Sequence, residues 1–235
     1  MRLYLSSERL GERAGALLAM LPDGAREKSQ DFSSSVSGPS KSFGRVAIIA
    51  NGYDGASAAA RDIYRTEIYD PIAEFKDLGL EPQTLDLRAH FDDPASLRLR
   101  LADYDLVWVM GGNSFVLRRA MKRSGFDRVI RERLETDTIA YGGYAAGAVV
   151  AGPSLRGLEL MDDPFEVPDG YDEALIWTGL GLTPFTIVPH YRSAHPEAAA
   201  AEKVVSYMTT RKARYRALSD GEVIVRIGNL ERLAS

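Results

Sequence analysis

Leu106-Val107-Trp108-Val109-Met110-Gly111-Gly112-Asn113 is the stretch on which the reading of the fold turns. Five apolar residues in a row, with no polar alternation, suit a strand covered on both faces. Gly111-Gly112-Asn113 ends the run abruptly, and residues 115–134 then carry helical spacing with a break expected near Gly125. The same grammar extends outward in both directions. Val46-Ala47-Ile48-Ile49-Ala50 is a second continuous apolar run, and residues 2–5, 138–141 and 186–189 read as further strands, with a weaker one at 82–87. Helical spacing is expected over 8–21, where Leu10, Ala14, Leu17, Leu18 and Leu21 share a side. It is also expected over 56–78 with a kink or interruption at Pro71, over 146–151, and over 197–209. Two late strands, 214–218 and 222–227, are expected to be joined by a turn at Asp220-Gly221. Strands alternating with helices predict an α/β fold: a mostly parallel sheet with helices on both faces, in a single domain over 1–235. In such sheets ligands meet the carboxyl ends of the strands.

One segment stands apart. Residues 22–43, with Ser33-Ser34-Ser35 and Gly38-Pro39-Ser40, are polar and rich in Ser and Gly, and read as a mobile surface loop. The chain has 235 residues, 45% hydrophobic and 26% charged, with a net charge of −4, so no basic surface for nucleic acid is expected. No apolar run reaches membrane-spanning length. Met1-Arg2-Leu3-Tyr4-Leu5 turns polar at once with Ser6-Ser7-Glu8-Arg9, unlike a signal peptide, and a cytoplasmic location is expected. Cysteine is absent, which excludes disulfides, thiolate metal sites and a cysteine nucleophile. His90, His190 and His195 lack the spacing of a helical zinc site, so neither a metal nor another cofactor is expected.

Chemistry is sought at the strand ends. Gly143-Tyr144-Ala145-Ala146-Gly147 follows a strand and opens a helix with the spacing of a nucleophile elbow, Gly-x-Ser-x-Gly, but with alanine where serine would stand. Read alone, it is equally a small-residue turn that packs closely. Gly111-Gly112 after its strand is either an ordinary turn or a place where backbone N–H groups approach an oxyanion. His190, in Ile187-Val188-Pro189-His190-Tyr191, lies just past a strand and is a candidate general base. His195 precedes Pro196 at a helix start, where a capping or surface role is expected, and His90 reads as surface. Asp220 is read as a hairpin residue or as the carboxylate that orients His190. Asn51-Gly52-Tyr53-Asp54-Gly55 lacks the full glycine fingerprint of a dinucleotide site.

Taken together, Val109-Met110-Gly111-Gly112-Asn113-Ser114-Phe115, Tyr141-Gly142-Gly143-Tyr144-Ala145-Ala146-Gly147-Ala148, Pro189-His190-Tyr191 and Leu218-Ser219-Asp220-Gly221 resemble the peptidase E (aspartyl dipeptidase) family of serine peptidases. That family is similar in fold to the class I glutamine amidotransferases, and the resemblance covers nearly the whole chain apart from 22–43. It implies that Ala145 occupies the nucleophile position and that His190 is the base with Asp220 as its acid. It further implies an oxyanion hole at the N–H groups of Gly112 and Ala146. A second acidic candidate after the elbow helix points to Glu159, Asp162 or Asp163, with Asp162 ranked first of these and below Asp220. The implied substrate is a small peptide, the implied activity that of an exopeptidase or dipeptidase, and a homodimer is left open. Two departures follow. Ala145 has no nucleophilic atom, and Ser114 and Ser154 are off the elbow. The arginine with which the family holds a substrate aspartate has no clear match near 194–203, where Arg192 and Lys203 are the nearest substitutes.

Alanine at 145 has two readings. One is an engineered, inactive variant of a serine peptidase; the other is a natural pseudoenzyme that binds a peptide or small molecule. The surviving base, acid and elbow glycines favour the first, because a site released from catalysis has no reason to retain them. A glutamine amidotransferase would instead require a lost cysteine.

Overall fold

The computed structural model describes residues 1–22 and 44–234. The loop expected at 22–43 therefore falls, beyond Pro22, outside the described residues. The main sheet runs in the order β3-β2-β4-β5-β1-β8-β9. Its strands are β1 (Arg2–Ser6), β2 (Arg45–Ile49), β3 (Glu81–Thr84), β4 (Leu106–Val109), β5 (Ala140–Tyr144), β8 (Val223–Ile227) and β9 (Leu230–Ala234). The first five are mutually parallel, and β8 and β9 add antiparallel on the far side of β1. A separate parallel pair joins β6 (Thr186–Val188) to β7 (Tyr215–Ala217).

Both faces of the main sheet are covered, as the unbroken apolar runs require. Side chains alternate along a strand. Leu3, Leu5, Ala47, Ile49, Val107 and Val109 accordingly enter one core, and Tyr4, Val46, Ile48, Leu106 and Trp108 enter the other. Leu97 and Leu101 of the helix Pro94–Leu101, Phe115 of Ser114–Arg123 and Ile130 of Phe126–Glu135 close the first core. Leu17 of Ala14–Ala19 and Phe75 of Pro71–Asp77 close the second.

Several expectations need correction. The break near Gly125 is present, but the helix expected over 8–21 is reduced to Ala14–Ala19. Arg9 and Gly11 both have positive φ there, which belongs to turns. Of the kink or interruption expected at Pro71, the interruption is what occurs: Ala58–Ile63 passes into a wider turn at Tyr64–Ile68, and Asp70 then caps a new helix, Pro71–Asp77, by accepting from the N–H groups of Ile72 and Ala73. Asp220-Gly221 does not join a hairpin, because β7 pairs with β6 while β8 pairs with β1. The helix Pro94–Leu101, capped by Asp93, and the edge strand β9 were not anticipated.

The turn after β5 is the tightest point of the fold. A Cβ placed on Gly147 would lie 2.1 Å from the Val109 carbonyl oxygen, and one on Gly143 would lie 2.9 Å from the Gly147 backbone. Gly147→Ala should therefore force β4 and the elbow apart and destabilise the protein by about 1–3 kcal/mol or more. Equilibrium denaturation in urea would measure the loss.

Candidate active site

The ends of β1, β2, β4, β5 and β6 meet over one cavity of about 620 Å³. Its floor includes Gly112, Ala145, Ala146 and His190. Ala145 lies between β5 and the short helix Ala146–Val149, with φ 45° and ψ −116°. That conformation is unfavourable for a residue with a Cβ and costs on the order of 1–3 kcal/mol. It is the geometry of an elbow that lifts one side chain off the sheet edge. Gly112 has φ +96°, and a Cβ there would meet the Gly52 carbonyl group at 2.5 Å, so only glycine brings this backbone so close. Ala146 opens its helix, where an N–H has no acceptor within the helix.

His190 is almost wholly buried, at 3% exposure. Its Nδ1 lies 2.8 Å from Asp220 Oδ1. A carboxylate accepts, so Nδ1 carries the proton and Nε2 is left with its lone pair. Two turns are latched together to make this pair. The Tyr191 N–H donates to the Leu218 carbonyl at 2.9 Å, Ser219 Oγ donates to the Tyr191 carbonyl at 2.9 Å, and the Asp220 N–H donates to Ser193 Oγ at 2.8 Å. Of the four acids considered for His190, Asp220 is the one hydrogen-bonded to the imidazole, while Glu159 accepts from the Gly157 N–H and Asp163 from the Phe165 N–H. Asp162 instead accepts from the Ser114 N–H at 2.9 Å.

Ser7, fully buried just past β1, was missed in the sequence. Its Oγ accepts from the His190 N–H and donates to Asp220 Oδ1, both at 2.8 Å. The available signal was a serine at the end of an apolar strand, at the same sheet edge as the elbow. His195 was also underestimated: its ring stacks on His190 with centroids 3.7 Å apart and planes 9° from parallel. Its Nδ1 accepts from the Glu197 N–H at 3.2 Å, but Glu197 itself precedes the helix Ala198–Thr210, so the ring satisfies none of the helix's own N–H groups and the expected capping role is not found. His90 is engaged elsewhere, with Nδ1 3.0 Å from Ser96 Oγ.

His190, His195 and Glu197 bring one metal-ligand type atom each within 4.8 Å of one another. Parallel stacked imidazoles direct their in-plane lone pairs side by side, and these converge on one ion only if a ring turns. The cluster is therefore not a preformed metal site. Arg192 and Lys203, the substitutes considered for a carboxylate-binding arginine, do not line the cavity, and Arg192 pairs with Glu202 at 3.4 Å.

Against this geometry, comparison with known proteins is consistent. Residues 56–233 match the model of peptidase family S51. An uncharacterized peptidase, Lin0382, of Listeria innocua is 30% identical over 148 residues, 63% of this chain and 66% of that protein. Peptidase E of Streptomyces coelicolor is 37% identical over 97 residues, 41% of this chain and 36% of that one. The matched stretches thus span about two thirds of these relatives or less. A crystal structure from Listeria monocytogenes EGD-e, described as a peptidase E protein, covers 99% of this chain and 97% of its own with a TM-score of 0.67 and 22% identity. A peptidase from an acI-B1 actinobacterium covers 99% of this chain and 86% of its own with a TM-score of 0.64 and 14% identity. At those identities the likeness is one of fold.

Two outcomes follow from the strain and charge of the cavity. Ala145→Gly should raise stability by about 1 kcal/mol, since glycine adopts the elbow conformation without penalty; thermal melting reads this directly. Desolvation, with the nearby Glu197 and Glu166 adding to it and the Ser114 hydroxyl and N–H opposing it, pushes the Asp162 carboxyl up to about 6. The folded state then holds a proton that the unfolded chain releases near pH 4, so this group's contribution to stability is lost as pH rises from about 4 through 6. Asp162→Asn should melt at a higher temperature than the parent at pH 8 and at the same temperature near pH 4.

Proposed function

Because this chain belongs to peptidase family S51, we propose that it is built to hydrolyse small peptides and that, with alanine at 145, it holds them without cleaving them. The observation that carries this reading is the His190–Asp220 pair, which borders the same cavity as the strained elbow residue. With serine at 145, His190 Nε2 removes the hydroxyl proton as Oγ attacks the peptide carbonyl carbon. The N–H groups of Gly112 and Ala146 hold the oxyanion. His190 passes the proton to the leaving amine as the C–N bond breaks. Water, deprotonated by the same imidazole, then releases the acyl group as a carboxylic acid. Asp220 keeps the imidazole in its reactive tautomer and stabilises its charged form. Ser7 holds both the His190 backbone and the Asp220 carboxylate, and we assign it a positioning role.

Alanine removes the first of these steps and leaves the rest standing. Loss of such a nucleophile costs on the order of 10⁶ in rate. The retained strain at 145 and the intact hydrogen-bond latch fit deliberate removal of a serine better than a long-standing binding role. The second reading, a natural binding protein, rests on Ala145 itself. Hydrolysis of a dipeptide panel by Ala145→Ser separates them. Turnover should rise by about 10³-fold or more over the parent, and His190→Ala in that background should abolish it. A folded serine variant that cleaves nothing would favour the binding protein.

A further inference from the structure

We propose that the cavity selects peptides whose first residue is positively charged, taking the free α-ammonium together with a lysine or arginine side chain and disfavouring an aspartate. This rests on the peptide-binding reading above and names its substrate class. Five carboxylates line the cavity: Glu8, Asp162, Asp163, Glu166 and Glu197. Among the described residues, no lysine or arginine lines it. Glu8 is matched by Arg9 at 3.5 Å, but Asp162, Asp163, Glu166 and Glu197 form no ion pair with a lysine or arginine among the described residues. A substrate ammonium or guanidinium would supply countercharge, whereas a substrate carboxylate would meet repulsion that no lysine or arginine among the described lining residues offsets.

Independent features of the cavity point the same way. Tyr53 and Tyr64 lie with ring centroids 4.9 Å apart, and their hydroxyls stand 3.4 and 3.1 Å from that of Tyr144. All three line the cavity, and aromatic faces attract cations. Burial pushes the Tyr53 and Tyr144 hydroxyls well above their ordinary range, so these rings stay neutral beside the carboxylates.

The acidic wall is held in place rather than left to adapt. Asn113 Nδ2 donates to Glu166 Oε2 at 2.7 Å and to the Asp163 carbonyl at 2.8 Å. The Asn113 Oδ1 meanwhile caps the next helix by accepting from the Phe115 and Val116 N–H groups. Arg119, itself buried, reaches the loop from behind and donates to the carbonyls of Pro164 at 2.9 Å and Glu166 at 3.3 Å. It also attracts the Asp163 carboxylate electrostatically, without forming an ion pair with it. Carboxylates fixed in advance bind a cation without an ordering cost.

The test uses the chain as it stands, where alanine at 145 lets peptides bind without turnover. Calorimetric titration with Arg-Leu, Lys-Leu, Leu-Leu and Asp-Leu at neutral pH should give affinities in the order basic, neutral, acidic, with about tenfold or more between Arg-Leu and Asp-Leu. High salt should weaken Arg-Leu most. Glu166→Gln and Asp162→Asn, each checked for folding by circular dichroism, should narrow the gap. Equal or tighter binding of Asp-Leu, a salt-insensitive preference, unchanged selectivity in both variants, or no binding of any peptide would each overturn the proposal. The same panel run for turnover on Ala145→Ser keeps the two ideas apart. Basic preference in binding without turnover sinks the hydrolase and spares the cation site; turnover with aspartate preferred does the reverse.

Discussion

The contact between Gly147 and the Val109 carbonyl governs the rest of the site. With no Cβ at 143 or 147, the chain leaves β5, reverses over β4 and enters a helix within a few residues. Residue 145 is thereby forced to a positive φ above the sheet edge. The neighbouring strand end answers it: Gly112 presses against Gly52 with equally little room, so two backbone segments converge where N–H groups are needed. The covered parallel sheet makes this tolerable. Strands buried on both faces cannot shift to relieve a local strain, because each side chain is fixed in one of two packed cores.

The imidazole and its acid depend on the separate two-stranded sheet. His190 follows β6 and Asp220 follows β7, and these strands pair with each other rather than with the main sheet. The small sheet thus carries both members to one place, and Ser7 at the end of β1 ties that place to the main sheet. The two halves of the site are consequently built on different sheets joined by a few hydrogen bonds.

Much of this was legible in the sequence where the signal is local. An apolar run cut by Gly-Gly-Asn, a Gly-x-x-x-Gly turn between strand and helix, and a histidine just past a strand each declare themselves within a few residues. Asp220 was legible only through its partners, since Asp-Gly more often closes a hairpin; here the flanking strands go to different sheets, and no short window shows that. Helix Pro94–Leu101 was missed although Asp93-Pro94 is a good start signal, because its exposed Leu99 blurs the apolar face. Strand β9 is mostly exposed and lacks the alternation that marks a half-buried strand. The stacking of His195 on His190 arises within one loop, through backbone reversals at His190 and Arg192 that a five-residue spacing does not announce; the gathering of Glu8, Glu166 and Glu197 around one cavity joins loops far apart in the chain and leaves no spacing to read.

Strand β1 lies between β5 and β8, whose residues follow it by more than a hundred positions. Along the chain it precedes both partners, so it has no strand to pair with until β5 has been made, and its second edge stays open until β8 follows. Ser7 then reaches Asp220 only when β1 slots home. A chain that stops short of Asp220 therefore lacks the histidine–acid pairing altogether. The late closure of so long a loop also makes insertion of β1 a natural slow step in folding.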